Sequence, residues 1–491
     1  MSTLTPRPPY SDAELAGLYP PHLQLRLVQV LLRHGERTPV GARFANTGLA
    51  AFWPYCSAVR HMRSVVSDPN AKSWGTLDWR RRLETFGAQD CPVAASGPAG
   101  ELDAICDMGM LTDRGRETTF QLGQRLRALY VDRLAFLPKT LDQGNLLYLR
   151  ATPIPRALES MQQTFLGLYP LTSRSPSCPL PTIVSRTPAD ETLFPNDSNC
   201  RRFAALARAF AQRAADRWND SPEMALLTKK LGKWMPDDSP KVAVDSRPRL
   251  SGVLDTINST NAHGPQTKLP REFYDPEVKR IAERIAVEEW FAGYMESAEY
   301  RTLGIGSLLG DIVWRMVGSA EHSASGATPS PPRLALSGCH DTTLAAVLAS
   351  LGAYQTEAWP PFTSHIALEL FRSTQPSTMP PRPATTSSFW PSWLGGSSSS
   401  SSIGRKPSTQ LTDAQKQTMH GYFVRVRYND EPVVIPGCKA AGNHLDGDES
   451  FCTLEAFKAI VDKFTPHDWK KQCRANVKAP VFPSEPQPAG Q

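Results

Sequence analysis

The chain of 491 residues has no run of about 18 apolar residues, which excludes a helix that spans a bilayer. Its first 21 residues carry Asp12, Glu14 and three prolines before Tyr10. They lack both the apolar stretch of a secretory signal and the arginine richness of a transit peptide. An intracellular protein is expected, cytoplasmic first and mitochondrial second. The nine cysteines include no CxxC pair and no zinc spacing, so no metal site is expected. Free thiols are expected too, with a Cys438 to Cys452 bridge the one pairing left open by the turn-rich chain between them.

Other catalytic signatures are missing as well. There is no GxxxxGK[ST], no GxSxG, and no cysteine followed six residues later by arginine, which excludes a P-loop, a nucleophile elbow and a cysteine phosphatase. Asp446-Gly-Asp448-Glu-Ser450 is similar to half an EF-hand loop, but Phe451 occupies the place of its glycine. A solvated turn is the simpler reading. The net charge of +6 is spread singly along the chain, so no nucleic-acid partner is expected.

What is present is a set of short apolar runs that end on charged residues. Leu25 to Leu32 is nearly all apolar and rich in β-formers, the mark of a strand buried on both faces. It ends on Arg33-His34-Gly35-Glu36-Arg37-Thr38-Pro39. Asn145 to Arg150 forms a second such run, followed by a helical pattern through Leu158, Met161 and Phe165. Leu334 to Gly338 forms a third and delivers His340 and Asp341 to a helix at Thr342 to Leu351. Strand followed by helix predicts βα units.

The expected fold is α/β, with a three-layer α/β/α core, a mixed, mainly parallel sheet, and a smaller, mainly helical cap made of insertions. The core takes 22–50, 109–170 and 331–475, and the cap takes 51–108 and 171–330. Residues 1–21 form an N-terminal extension and 476–491 a tail. Within the core, 373–420 is rich in serine and proline, with six serines from Ser397 to Ser402, and is expected to be disordered. Its Phe389 to Leu394 cluster reads as a loop tip or a docking motif.

In open α/β sheets ligands bind beyond the carboxyl ends of the strands, so Arg33, His34, Arg37, Arg150, His340 and Asp341 are expected to converge. Arginine forks match the three non-bridging oxygens of a phosphoryl group. His34 offers a nucleophilic nitrogen and Asp341 a proton for the leaving oxygen.

Arg33-His34-Gly35-x-Arg37-x-Pro39 with His340-Asp341 resembles the histidine acid phosphatase family. Arg150-Ala-Thr152-x-x-x-Arg156 is similar to that family's RxTxxxR segment, and Leu111-Thr112-x-x-Gly115 to its first helix. Leu158-Glu159-Ser160 and Trp359-Pro360-Pro361-Phe362 look most like the lysophosphatidic acid phosphatase group.

The resemblance implies that His34 becomes a phosphohistidine, that Arg33, Arg37, Arg150 and His340 bind the phosphate, and that Asp341 is the acid. It implies no cofactor, because the arginines supply the charge. Arg156 is expected to support the loop, and Glu36 to point away from substrate. The implied reaction is metal-independent hydrolysis of a phosphate monoester, with a lysophospholipid one candidate. A phosphoglycerate-mutase-like phosphotransferase and an inactive scaffold on this fold are the alternatives. The sequence is silent on oligomeric state.

Overall fold

The apolar run becomes the middle of strand β1 (Leu23–Arg33), buried from Leu27 onward as a central strand covered on both faces must be. The computed structural model describes residues 2–70, 72–325, 331–375 and 403–491. Ahead of β1 lies helix α1 (Asp12–Leu18), opened by a capping box between Ser11 and Glu14. After it come two hairpins, β2 (Met62–Asp68) with β3 (Ser73–Trp79) and β4 (Glu84–Phe86) with β5 (Pro92–Ala94).

Helix α2 (Asp113–Arg127) follows, capped by Thr112, then β6 (Leu147–Ala151), α3 (Pro155–Leu168) and β7 (Ile183–Val184). A helical run follows: α4 (Arg201–Trp218), α5 (Pro222–Leu231), α6 (Leu250–Asn261), α7 (Pro276–Glu296), α8 (Ala298–Arg301) and α9 (Ser307–Ser325). The chain returns to the core through β8 (Leu334–Cys339), α10 (Asp341–Ser350), β9 (His365–Ser373) and α11 (Asp413–Gln417). It ends with β10 (Tyr422–Tyr428), β11 (Glu431–Val433), β12 (His444–Leu445), β13 (Asp448–Thr453), α12 (Leu454–Asp462) and α13 (Trp469–Gln472).

One mixed sheet has the order β12-β13-β10-β9-β1-β8-β6-β7, with β11 on β10. The β1, β8, β6 and β7 half is parallel, and the half from β9 to β12 is antiparallel. The α/β class and the mixed sheet stand. "Mainly parallel" is corrected: tight turns join β10 to β11 and β12 to β13, a connection open only to antiparallel strands. One apolar layer, with Leu122, Leu126, Phe165 and Leu168, packs on one face of the sheet. A larger one, with Ile312, Met316, Leu344 and Leu348, packs on the other. A separate apolar core gathers Trp53, Leu227, Val253 and Phe273, from segments expected to form the cap.

Two expectations are revised and one lies beyond test. Residues 51–108 form hairpins rather than helices, and their strands β2 and β3 are largely exposed. Residues 376–402, with the serine run and the Phe389 to Leu394 cluster, lie outside the described residues. The remainder of that insert, 403–420, is ordered: Thr412 and Gln415 form a capping box on α11, and Leu411 and Met419 are buried in the core.

The cysteines are also revised. Cys56–Cys106, Cys200–Cys473 and Cys438–Cys452 are disulfide-bonded, while Cys91, Cys178 and Cys339 are free. Two of those pairs join residues 50 and 273 positions apart, a proximity that exists only in the folded chain.

Candidate active site

Three strand ends build the site. β1 and β8 run parallel with Arg33 opposite Cys339, so the residues that follow, His34 and His340, emerge side by side with ring centroids 5.5 Å apart. β6 is registered with Ala151 opposite Gly338, and Thr152 Oγ1 comes within 3.1 Å of His340 Nε2. The glycine of the RHG run is forced by a close approach: a Cβ on Gly35 would lie 2.2 Å from the carbonyl oxygen of Gly115 in α2. Only glycine lets the catalytic loop rest on that helix.

His34 is buried, and its Nδ1 lies 2.9 Å from the Gly35 carbonyl oxygen. A carbonyl only accepts, so Nδ1 carries the proton and Nε2 keeps its lone pair. Burial first, and then the charges of Arg156, Arg33 and Arg37, hold the imidazole well below the usual histidine pKa. His340 is also held down, by burial and by Arg156, against the pull of Asp341. Both rings are neutral at physiological pH.

Arg33 Nη2 pairs with Asp341 Oδ2 at 2.7 Å, its Nη1 donates to the Pro360 carbonyl, and its guanidinium sits 4.2 Å from the Phe362 ring centre. Arg37 Nη1 pairs with Asp255 Oδ1 of α6 at 2.7 Å. Burial pulls Arg156 down to about 10, and the charge of Arg37 adds to the effect. Among the described residues its guanidinium makes one hydrogen bond, a long one of 3.5 Å to the Gly109 carbonyl, and its buried Nε has no partner. Among the described residues Arg156 pairs with no carboxylate.

For Asp341, burial works to raise the carboxyl pKa. The ion pair with Arg33, the hydrogen bond from Trp359 Nε1 at 3.0 Å, and the charge of Arg37 together bring it below the ordinary value.

Of the six residues expected to converge, the structure brings five together and leaves out Arg150. Its Nη2 donates to Glu191 Oε1 at 2.5 Å, and its Nη1 lies 3.8 Å from Asp311. Both residues of the Arg150–Glu191 pair are buried, so the charge of the guanidinium is met by structural carboxylates, although its Nε and Nη1 make no hydrogen bond. Glu191 Oε1 also accepts from the Thr192 and Leu193 amides, Leu193 accepts from Thr343, and Phe194 meets the His340 ring edge-on at 6.2 Å. Arg150 thus anchors the loop that backs His340.

Its expected place is taken by Arg156, the second residue of α3. The signal was in the sequence: Pro155 at the first helical position marks a helix start, where backbone amides favour an anion. Glu36 is buried and accepts from Thr118 at 2.5 Å, pointing away from the cleft as expected. Sequence reasoning missed Asp255 and did not read the contacts of Trp359 and Phe362. Asp255 sits in a cap helix without a local motif, whereas the Trp-Pro-Pro-Phe run was visible.

Arg33, Arg37, Asp255, Asp341, Trp359 and Phe362 line a cleft of about 330 Å³ together with Val40, Leu254, Asn258 and Trp290, while Arg156 lines a neighbouring cavity with Gly109 and Met110. Buried unpaired arginine donors around a neutral imidazole suit a tetrahedral anion about to be attacked.

Comparison with known proteins agrees with this chemistry. A probable acid phosphatase of Schizosaccharomyces pombe is 37% identical over 474 residues, covering 93% of this chain and 95% of that protein. The human lysophosphatidic acid phosphatase type 6 is 27% identical over 356 residues, 71% of this chain and 74% of that one. Two solved structures share the fold. A Hafnia alvei phytase with tartrate has a TM-score of 0.51 at 13% identity, covering 92% of this chain and 99% of its own. A Bifidobacterium longum multiple inositol polyphosphate phosphatase with inositol hexasulfate has 0.51 at 12%, covering 94% and 97%. The sequence profile of the histidine phosphatase superfamily (branch 2) matches residues 24–428, and the chain belongs to that family as a histidine acid phosphatase.

Proposed function

We propose that the enzyme hydrolyses phosphate monoesters through a phosphohistidine on His34. Nε2 attacks phosphorus, the ester P–O bond breaks, and Asp341 gives its proton to the departing alkoxide. Water then attacks the phosphohistidine, ionised Asp341 takes a proton from it, and His34 leaves neutral. Arg33, Arg37, Arg156 and His340 hold the phosphoryl oxygens, and the charge of the three arginines stabilises the transferring group, so the reading uses no metal. The single observation that carries it is the placement of Arg156, a half-buried guanidinium whose buried Nε has no partner and which pairs with no carboxylate among the described residues, beside a neutral His34 with a free Nε2.

The substrate reading is a phosphate on an apolar chain, of the lysophosphatidate type. It rests on a cavity of about 610 Å³ next to the cleft, which shares Arg43 and Pro248 with it and is walled by Phe44, Leu49, Trp53 and Trp234. A hydrophobic pocket of that size accommodates an aliphatic tail. Phosphate release should be compared across lysophosphatidate, glycerol 3-phosphate, an aryl phosphate and inositol hexakisphosphate. The lipid reading expects the highest kcat/KM for lysophosphatidate and at least about a tenfold loss without the acyl chain. Equal kcat/KM with and without the chain contradicts it.

The three disulfides weigh against the cytoplasmic expectation, because cytosolic thiols are kept reduced. We place the enzyme in an oxidising compartment. Localisation of the tagged full chain tests this, and a cytosolic pool with all nine thiols alkylatable overturns it.

A further inference from the structure

A second cavity, of about 280 Å³, lies between α2, the turn that follows it and the N-terminal segment Arg7 to Tyr10. Pro8, Pro9, Leu122, Leu126, Leu129 and Ala367 give it apolar walls. The catalytic mechanism uses none of them.

Its charged groups are nearly all committed. Arg7 pairs with Glu14, Arg133 with Asp12, and Asp430 with His365 and Arg427. Asp132 is exposed to solvent, and Arg7 keeps one buried Nη1 without a hydrogen bond. Arg125 has the larger deficit: its Nε and Nη2 are both buried and neither makes a hydrogen bond, although the charge of Asp430 acts on it. These two atoms form the side-on edge of the guanidinium, which takes a planar carboxylate through two parallel hydrogen bonds. A second orphan lies on the same wall. His365 is 1% exposed, its Nε2 faces Asp430 at 3.3 Å, and its buried Nδ1 has no partner.

With Nε2 donating to the Asp430 carboxylate, Nδ1 is an acceptor; the two buried Arg125 donors are the groups costly to leave unmet, and their position in an apolar cavity defines a ligand with one polar end. We propose that this cavity binds a carboxylate on a short apolar chain, its carboxylate on the Arg125 fork and its chain among the leucines and prolines. The volume equals roughly nine waters, room for a chain of the size of octanoate. The site is separate from the phosphate cleft, with which it shares no lining residue.

Calorimetric titration of the full chain with octanoate tests this, with octanol as the neutral probe. Saturable binding at one site per chain is expected, unaffected by inorganic phosphate at the catalytic cleft. Replacing octanoate by octanol, or Arg125→Gln, should weaken it at least about tenfold. Ala128→Trp, at an exposed position on the cavity wall, should abolish it while hydrolysis of an aryl phosphate stays at the wild-type rate, which also reports a folded protein. Displacement by phosphate, equal affinity for octanol, no saturable binding, or binding unchanged in Ala128→Trp overturns the proposal.

Discussion

Arg33 Nη2 lies 2.7 Å from Asp341 Oδ2, so in the free enzyme the arginine proposed to bind phosphate is tied to the proposed general acid. The pair holds Asp341 ionised, yet the reaction needs it protonated. A phosphate dianion resolves the conflict by taking the Arg33 hydrogen bonds and placing negative charge beside Asp341. Both effects raise the carboxyl pKa. Substrate thus prepares the acid that completes its own cleavage.

The sign of the pH dependence follows. Because the acid must carry its proton, activity declines as pH rises through the pKa of Asp341 in the complex. An optimum on the acid side is expected. The Trp359 hydrogen bond stabilises the ionised form and lowers that pKa. Trp359→Phe removes the donor and keeps an aromatic ring, so the alkaline limb of kcat should move to higher pH. A limb that stays in place or moves down contradicts the role of Trp359.

Asp341→Asn cannot donate the proton but leaves His34 intact. Its loss in kcat should be smallest for aryl phosphates, whose leaving group needs little protonation, and about 100-fold or more for alkyl phosphates. Equal losses for both classes sink the assignment of the acid.

Arg156 and Arg150 separate by the kind of damage they cause. Arg156→Ala removes a guanidinium without a carboxylate partner, so kcat/KM should fall roughly 100-fold or more while the melting temperature holds. Arg150→Ala strands Glu191, which is 1% exposed, and such a loss costs about 3–5 kcal/mol of stability. Urea unfolding with parallel kinetics distinguishes them. The reverse pattern returns Arg150 to the phosphate site.

The Cys200–Cys473 pair joins the first cap helix to the end of the core across 273 residues. Cys200→Ser with Cys473→Ser should lower the unfolding free energy by about 2–5 kcal/mol. Equal stability with and without the pair, and full alkylation of both thiols under non-reducing conditions, argues against the bond.

The catalytic framework was legible in the sequence where one local pattern decided it. A strand buried on both faces needs an unbroken apolar run, and Leu25 to Leu32 supplies one. His340 and Asp341 are recognisable because they lie between such a strand and a helix. The hairpins at 62–94 escaped because their exposed strands have no core face and therefore no alternation to read. Arg150 and Arg156 stand six residues apart at one strand-to-helix junction. What decides between them is Glu191, a residue in a distant loop that occupies one and not the other. Asp255 and the long-range cystines share that cause: their meaning lies in partners far along the chain.

The central claim is that His34 takes the phosphoryl group. Wild-type enzyme should be mixed with an aryl phosphate and quenched in alkali, where phosphohistidine survives, then digested and mapped by mass spectrometry. The account predicts one added phosphoryl group on the peptide that contains His34, absent in His34→Ala, formed and lost at rates compatible with turnover. A phosphoryl group on another residue, or turnover that persists in His34→Ala, would contradict it.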